Sequence, residues 1–211
     1  MNISPEILRL YAVTDRRWLG TKTLSDAVEA AIRGGVTIVQ LREKELDREA
    51  FLREAIALKA VCAKYGVPLI INDNCRAALE AGADGVHVGI TDAPVAELRK
   101  LAGKDFIIGA TAKTVAQAQA AQAAGADYLG IGAVFPSPTK QNAIRITAAQ
   151  FRDIKGSVSL PAVAIGGITC GNLPTLSDLG ADGFAVVSAI FGQADIAAAA
   201  RQLRAIAASM V

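Results

Sequence analysis

The chain of 211 residues is 52% hydrophobic, 20% charged and 5% aromatic, with a formal net charge of +2. This balance excludes disorder, a collagen repeat and a disulfide scaffold, and offers no overall charge to draw the chain to nucleic acid or a membrane. Cys62, Cys75 and Cys170 are odd in number and form no close pairs, which suits a reducing cytoplasm and argues against a thiolate zinc site.

At the N-terminus, no basic stretch leads into a long apolar one, so no signal peptide is expected. Mean hydropathy is high at +0.35. Even so, charged, glycine or proline residues interrupt every apolar run before the ~18 residues a spanning helix needs. The hydrophobicity comes instead from short Val/Ile/Leu blocks and many alanines, as strands buried on both faces and close-packed helices produce.

Taken in order, the strand candidates are Leu10–Thr14, Ile38–Arg42, Leu69–Asp73, Gly85–Gly89, Phe106–Thr111, Tyr128–Val134, Ala162–Gly167 and Gly183–Ile190. A helix-sized segment follows each of them. After the first block, Leu24, Ala27, Val28, Ala31 and Ile32 share one helical face, and Gly34/Gly35 end that helix. Further on, Thr114 with Gln117 and Thr147 with Gln150 have capping-box spacing. Gly-Ala-Asp recurs at 82–84, 125–127 and 180–182, each time just before an apolar block. Glycine there can end a helix in the left-handed region, and alanine lets the chain turn back closely.

No linker or charge run divides the chain, so residues 1–211 are expected to form one α/β domain, a compact (β/α)8 TIM barrel. The competing architecture, a doubly wound open sheet, would normally carry a glycine-rich fingerprint after its first strand. Thr14-Asp15-Arg16-Arg17 stands there instead.

In such a barrel, reactive groups belong at the C-terminal ends of the strands. Alternation puts Gln40, Arg42 and Lys44 on one side at the end of the second strand. Asn72 and Asp73 end the third strand, and Asp92 follows the fourth. Two carboxylates on neighbouring strand ends can share a hard cation such as Mg2+. Each can equally cap the following helix, or pair with Arg42 and Lys44. Thr111 at the end of the fifth strand can donate to a phosphate or cap a helix. The segment Phe135-Pro136-Ser137-Pro138-Thr139-Lys140 after the sixth combines two hydroxyls and an ammonium on a stiff loop, suited to a lid or a plain turn. Gly166-Gly167 and Val187-Ser188 lie where barrels commonly bind phosphate through backbone N–H groups. His87, the sole histidine, lies within a strand and reads as a packed, hydrogen-bonded core residue.

Together, Gln40–Lys44, Ile71-Asn72-Asp73, Gly82–Gly89 with Asp92, Phe135–Lys140 and Ala164–Ile168 resemble the thiamine-phosphate synthase family. The resemblance runs from Leu10 through Ile190, nearly the whole chain. It implies that Gln40, Leu41, Arg42, Glu43, Lys44, Asn72, Thr111 and Lys140 hold a pyrimidine diphosphate. It implies that Asp73 and Asp92 bind Mg2+, and that Ser137, Pro138, Thr139, Gly167, Val187 and Ser188 contact a thiazole phosphate. Arg42, Lys44 and Lys140 would be the catalytic cations. Two positions depart from the family pattern: Thr111 stands where serine is expected, and Ser137 where threonine is expected.

The implied reaction joins 4-amino-2-methyl-5-(diphosphooxymethyl)pyrimidine to a (carboxy)thiazole phosphate, giving thiamine phosphate and pyrophosphate. Small phosphorylated molecules are then the expected partners, with no nucleic acid or membrane involved. A thiazole tautomerase and a non-catalytic phosphate-binding paralogue are the alternatives. Neither needs a magnesium–diphosphate site. A tautomerase of this kind is expected to carry a histidine just before the Val-Phe of the sixth strand, where this chain has Ala133.

Overall fold

A computed structural model describes residues 3–137 and 144–210. Eight parallel strands close into a barrel in chain order: β1 (Leu10–Val13), β2 (Ile38–Leu41), β3 (Leu69–Asn72), β4 (Gly85–Val88), β5 (Ile107–Ala112), β6 (Tyr128–Gly132), β7 (Ala162–Ile165) and β8 (Gly183–Val186). Before β1 comes the short helix α1 (Pro5–Leu8). The outer layer contains α2 (Leu24–Arg33), α3 (Arg48–Lys64), α4 (Cys75–Glu80), α5 (Val95–Ala102), α6 (Val115–Ala123), α7 (Ala148–Gly156), a 3-10 helix at Leu173–Leu179, α8 (Ser188–Phe191) and α9 (Ile196–Ala208). Among the described residues, no helix is long and apolar enough to cross a membrane.

Side-chain alternation divides the core in two. Leu10, Ala12, Val39, Leu41, Ile71 and Leu129 pack outward against the helices. Tyr11, Val13, Ile38, Ile70, Tyr128, Val163 and Ala185 fill the barrel interior, with Ile3 and Leu8 closing its base.

All eight expected strands are present, and the differences lie at their ends. The eighth apolar block does not continue as a strand to Ile190. Val187 leaves the extended region with φ −120° and ψ −86°, and Ser188–Phe191 becomes α8. A short apolar run suits either element by periodicity, and here Ile190 and Phe191 reach the core from a helix. The seventh strand stops at Ile165 because Gly166 and Gly167 take φ 105° and 64°, outside extended backbone. Similarly, β6 stops at Gly132, short of the expected Val134. Of the two capping boxes, only Thr147/Gln150 is complete. Gln117 instead accepts from the Lys113 N–H at 2.8 Å.

The Gly-Ala-Asp repeat has a physical cause beyond its glycine. Gly82, Gly125 and Gly180 have φ of 66°, 92° and 69°. Asp84, Asp127 and Asp182 each accept, at 2.8 Å, a backbone N–H from the preceding strand: Leu69, Ile108 and Ala162 respectively. Each aspartate also pairs with a cation, Lys59, Arg99 or Lys155. Thr37 does the same for the Leu10 N–H at 2.9 Å. The device therefore recurs before every even-numbered strand and closes the base of the barrel four times.

Asp127 and Arg99 are only 11% and 20% exposed. Asp127→Ala removes the acceptor of the Ile108 N–H and leaves the Arg99 guanidinium with backbone carbonyls but no counter-charge. We expect it to lower unfolding stability by about 3 kcal/mol, the cost of breaking a largely buried pair. Urea denaturation checks this as a lower midpoint at unchanged slope.

Candidate active site

The C-terminal mouth of the barrel gathers most of the residues the sequence singles out. Gln40 points inward from β2 and is 5% exposed. Its Nε2 donates to the Tyr11 hydroxyl at 2.8 Å. Because β2 ends at Leu41, strand alternation governs Gln40 but not Arg42 or Lys44. Their placement comes from the neighbouring loops. Thr14 Oγ1 accepts from the Arg42 N–H at 2.9 Å, which ties the β2 end to the β1 end. Arg16 clamps Glu43 at 2.7 Å and Glu54 at 2.6 Å. Leu41 is buried against the helices, so only its backbone is available to a ligand at the mouth. Glu43 is held by Arg16 and accepts from the Lys44 N–H.

Lys44 Nζ lies 2.7 Å from Asp73 Oδ2. Asp73 also accepts from Asn72 Nδ2 at 2.7 Å. Asp92 accepts from the Gly89 N–H at 2.6 Å. Neither aspartate caps a helix: Asn74 caps α4, and α5 follows Pro94 without a side-chain cap. Asp73 has φ 63°, a left-handed conformation that aspartate tolerates better than most residues. Burial raises the Asp73 pKa against the opposing pull of the Lys44 ammonium, and the neighbouring Asp92 carboxyl raises it further. Two carboxylates that converge from neighbouring strand ends fit a shared divalent cation. Mg2+ typically takes one or two protein carboxylates and completes its shell with water and phosphate. No group of three or more His, Cys, Asp or Glu side chains suited to a metal occurs among the described residues, so a ligand would supply the rest.

Thr111 faces the interior one residue before the end of β5, and Thr114 caps α6 in its place. Its Oγ1 lies 3.1 Å from His87 Nε2. His87 Nδ1 is 3.1 Å from the Tyr128 hydroxyl, which is 2.8 Å from that of Tyr11. His87 is thus the hydrogen-bonded interior residue that its mid-strand position implied.

On the opposite side, the loop after β6 folds over the loop after β7. Val134 and Phe135 donate to the Ile165 and Gly166 carbonyls at 3.0 and 3.1 Å. A Cβ on Gly167 would collide with the Pro136 carbonyl oxygen. Both glycines are therefore required by this close approach. Ser188 opens α8, where the Ile190 N–H is already taken by the Val187 carbonyl and the preceding first-turn N–H groups lie before any i−4 acceptor. A cleft of about 480 Å³ flanks this corner, lined in part by Trp18, Thr169, Cys170 and Ser188. Ser137 is partly buried at the edge of the described residues, whereas Pro138, Thr139 and Lys140 lie outside them.

The sequence does not single out Tyr11 or Tyr128, whose hydroxyls link Gln40 to His87. Their only sequence signal is an aromatic at an inward position of an otherwise aliphatic strand.

A family model described as thiamine monophosphate synthase matches residues 10–190. A thiamine-phosphate synthase from Ruminiclostridium cellulolyticum is 49% identical over 194 residues, covering 92% of each chain. One from Alkaliphilus oremlandii is 45% identical over 196 residues, covering 93% of this chain and 94% of the relative. Among solved structures, a thiamine phosphate pyrophosphorylase from Pyrococcus furiosus superposes with a TM-score of 0.90 at 35% identity, covering 98% of each chain.

Proposed function

The chain belongs to the thiamine monophosphate synthase family of transferases, and we propose that it joins an aminopyrimidine methyl diphosphate to a thiazole phosphate, giving thiamine phosphate and pyrophosphate. The observation that carries this reading is the convergence of Lys44, Asp73 and Asp92 at one side of the mouth, with neither carboxylate spent on a helix cap.

Asp73 and Asp92 would hold Mg2+, which when bound offsets the charge of a diphosphate. Gln40, Asn72 and Thr111 would orient the pyrimidine diphosphate. Lys44 and Arg42 would neutralise the leaving pyrophosphate, together with Lys140. The C–O bond to the pyrimidine methylene breaks with its electron pair leaving on pyrophosphate. The amino group helps the ring carry the resulting cation, and the thiazole nitrogen then forms the new C–N bond. A carboxylated thiazole would lose CO2 afterwards, the electron pair staying on the ring carbon, which takes a proton from water. Backbone N–H groups at Gly167, Val187 and Ser188, with the Ser137, Pro138 and Thr139 segment, would hold the thiazole phosphate. The protein's work is alignment and charge stabilisation, so no covalent intermediate is needed.

The tautomerase reading lacks its base. Ala133 is 6% exposed, packs beneath Gly166 and has no titratable group. The deciding experiment supplies both substrates to the purified chain and follows pyrophosphate release. We expect release that needs magnesium and both substrates, with little tautomerisation of thiazole phosphate alone. Fast tautomerisation without coupling product would replace this reading with its neighbour.

A further inference from the structure

Across the barrel interior runs an unbroken polar chain: Gln40 Nε2, the Tyr11 hydroxyl, the Tyr128 hydroxyl, the His87 ring and Thr111 Oγ1, with successive separations of 2.8, 2.8, 3.1 and 3.1 Å. Space has been made for it. A Cβ on Gly109 would strike the Tyr128 ring and lie 2.5 Å from His87 Nδ1, and one on Gly130 would lie 2.9 Å from His87 Cε1. Neither glycine has positive φ, so room for the chain accounts for both.

The chain also has a direction. The Gln40 amide nitrogen can only donate, so it occupies the Tyr11 oxygen as a donor. Tyr11 must then give its single proton to Tyr128. Otherwise a buried hydroxyl proton would have no acceptor among the described residues. Tyr128 in turn donates to His87 Nδ1, which places the ring proton on Nε2 and directs it at Thr111. With Nδ1 accepting from Tyr128 and Nε2 facing Thr111, the enclosed ring carries a single proton. At the two ends, Gln40 Oε1 has no protein donor and the Thr111 proton has no protein acceptor among the described residues.

We propose that Tyr11, Tyr128 and His87 are positioning residues that make the mouth read a ligand edge carrying a donor opposite Gln40 and an acceptor opposite Thr111. An aminopyrimidine carries both, as an exocyclic amine and a ring nitrogen. Its oxo analogue reverses the amine to an acceptor. This proposal rests on the pyrimidine reading above, and its first test does not depend on that reading.

With one histidine in the chain, [15N]histidine labelling of the full protein gives one ring to observe. We expect the Nε2–H tautomer at pH 7, and loss of that fixed tautomer in Tyr128→Phe. An Nδ1–H tautomer in the unsubstituted protein overturns the proposal, whether or not coupling activity is found. The second test is kinetic. Tyr11→Phe should narrow the kcat/KM preference for the aminopyrimidine diphosphate over its oxo analogue by about tenfold, equivalent to one ordinary hydrogen bond. The KM for thiazole phosphate should stay within about twofold, since the chain ends on the pyrimidine side. A folded Tyr11→Phe protein with undiminished preference overturns the proposal. Loss of affinity for both substrates together would do so as well, because it marks a structural role.

Discussion

Asp73→Asn and Asp92→Asn are expected to lower turnover by roughly 10- to 100-fold or more, the usual consequence of disturbing a metal site, while leaving the fold intact. Asparagine is the informative replacement because it retains tolerance for the left-handed backbone at Asp73, where φ is 63°. Alanine there would add backbone strain to the loss of charge. The sign of the stability effect separates function from folding. Asp73 has a folded-state pKa above its ordinary value, from burial first and from Asp92 in addition. Its folded form therefore binds a proton more readily than its unfolded form. Its favourable contribution is present at low pH and is lost as pH rises from the ordinary carboxylate value through the raised one. At neutral pH without metal, Asp73→Asn should melt at the same temperature or higher, and its stability should fall less with pH through that window. Thermal melts in chelator and turnover against added magnesium provide the two readouts. Full activity of both variants in chelated solution would remove the metal assignment.

Lys44→Ala is expected to reduce turnover by about 100-fold, as loss of one preorganised charge at a developing anion commonly does. The ammonium lies 2.7 Å from Asp73 Oδ2, beside the carboxylate pair that would carry the cation. Its side chain is 54% exposed, so the ion pair itself adds little stability and the melting temperature should barely move. Lys44→Arg should recover only part of the rate, because a planar fork does not replace a compact ammonium. If Lys44 acts on the leaving group, kcat falls further than KM rises. Lys44→Ala combined with Asp73→Asn should cost less than the product of the single effects, because both touch one site. Unchanged single-turnover chemistry in Lys44→Ala would defeat the role.

How much of this site is legible in sequence differs from residue to residue. Asp73 and Asp92 stand out by type and strand-end position, but their sequence context suits helix caps equally well. Only the structure shows Asn74 performing that task at α4 and no side-chain cap at α5. His87 is readable as an interior residue from its place in mid-strand. Its partners are not, because Tyr128 and Thr111 lie 41 and 24 residues away and meet it through barrel closure. Gly109 and Gly130 look like ordinary strand glycines until the ring they accommodate is in place.

Barrel architecture is readable because its causes are local. Short aliphatic runs form strands, one-sided apolar spacing forms helices, and Gly-Ala-Asp punctuates their return. Strand ends are less readable. At Val187 one apolar run crosses from strand to helix, and both elements bury the same residue types. The chemistry-bearing residue types, their order and their strand-end placement were determined by sequence alone. Tertiary structure decided which of them meet, which are spent on structure, and which way the interior hydrogen bonds run. The physical reason is that periodicity acts over a few residues, whereas hydrogen bonds across a barrel depend on registers fixed only when all eight strands close.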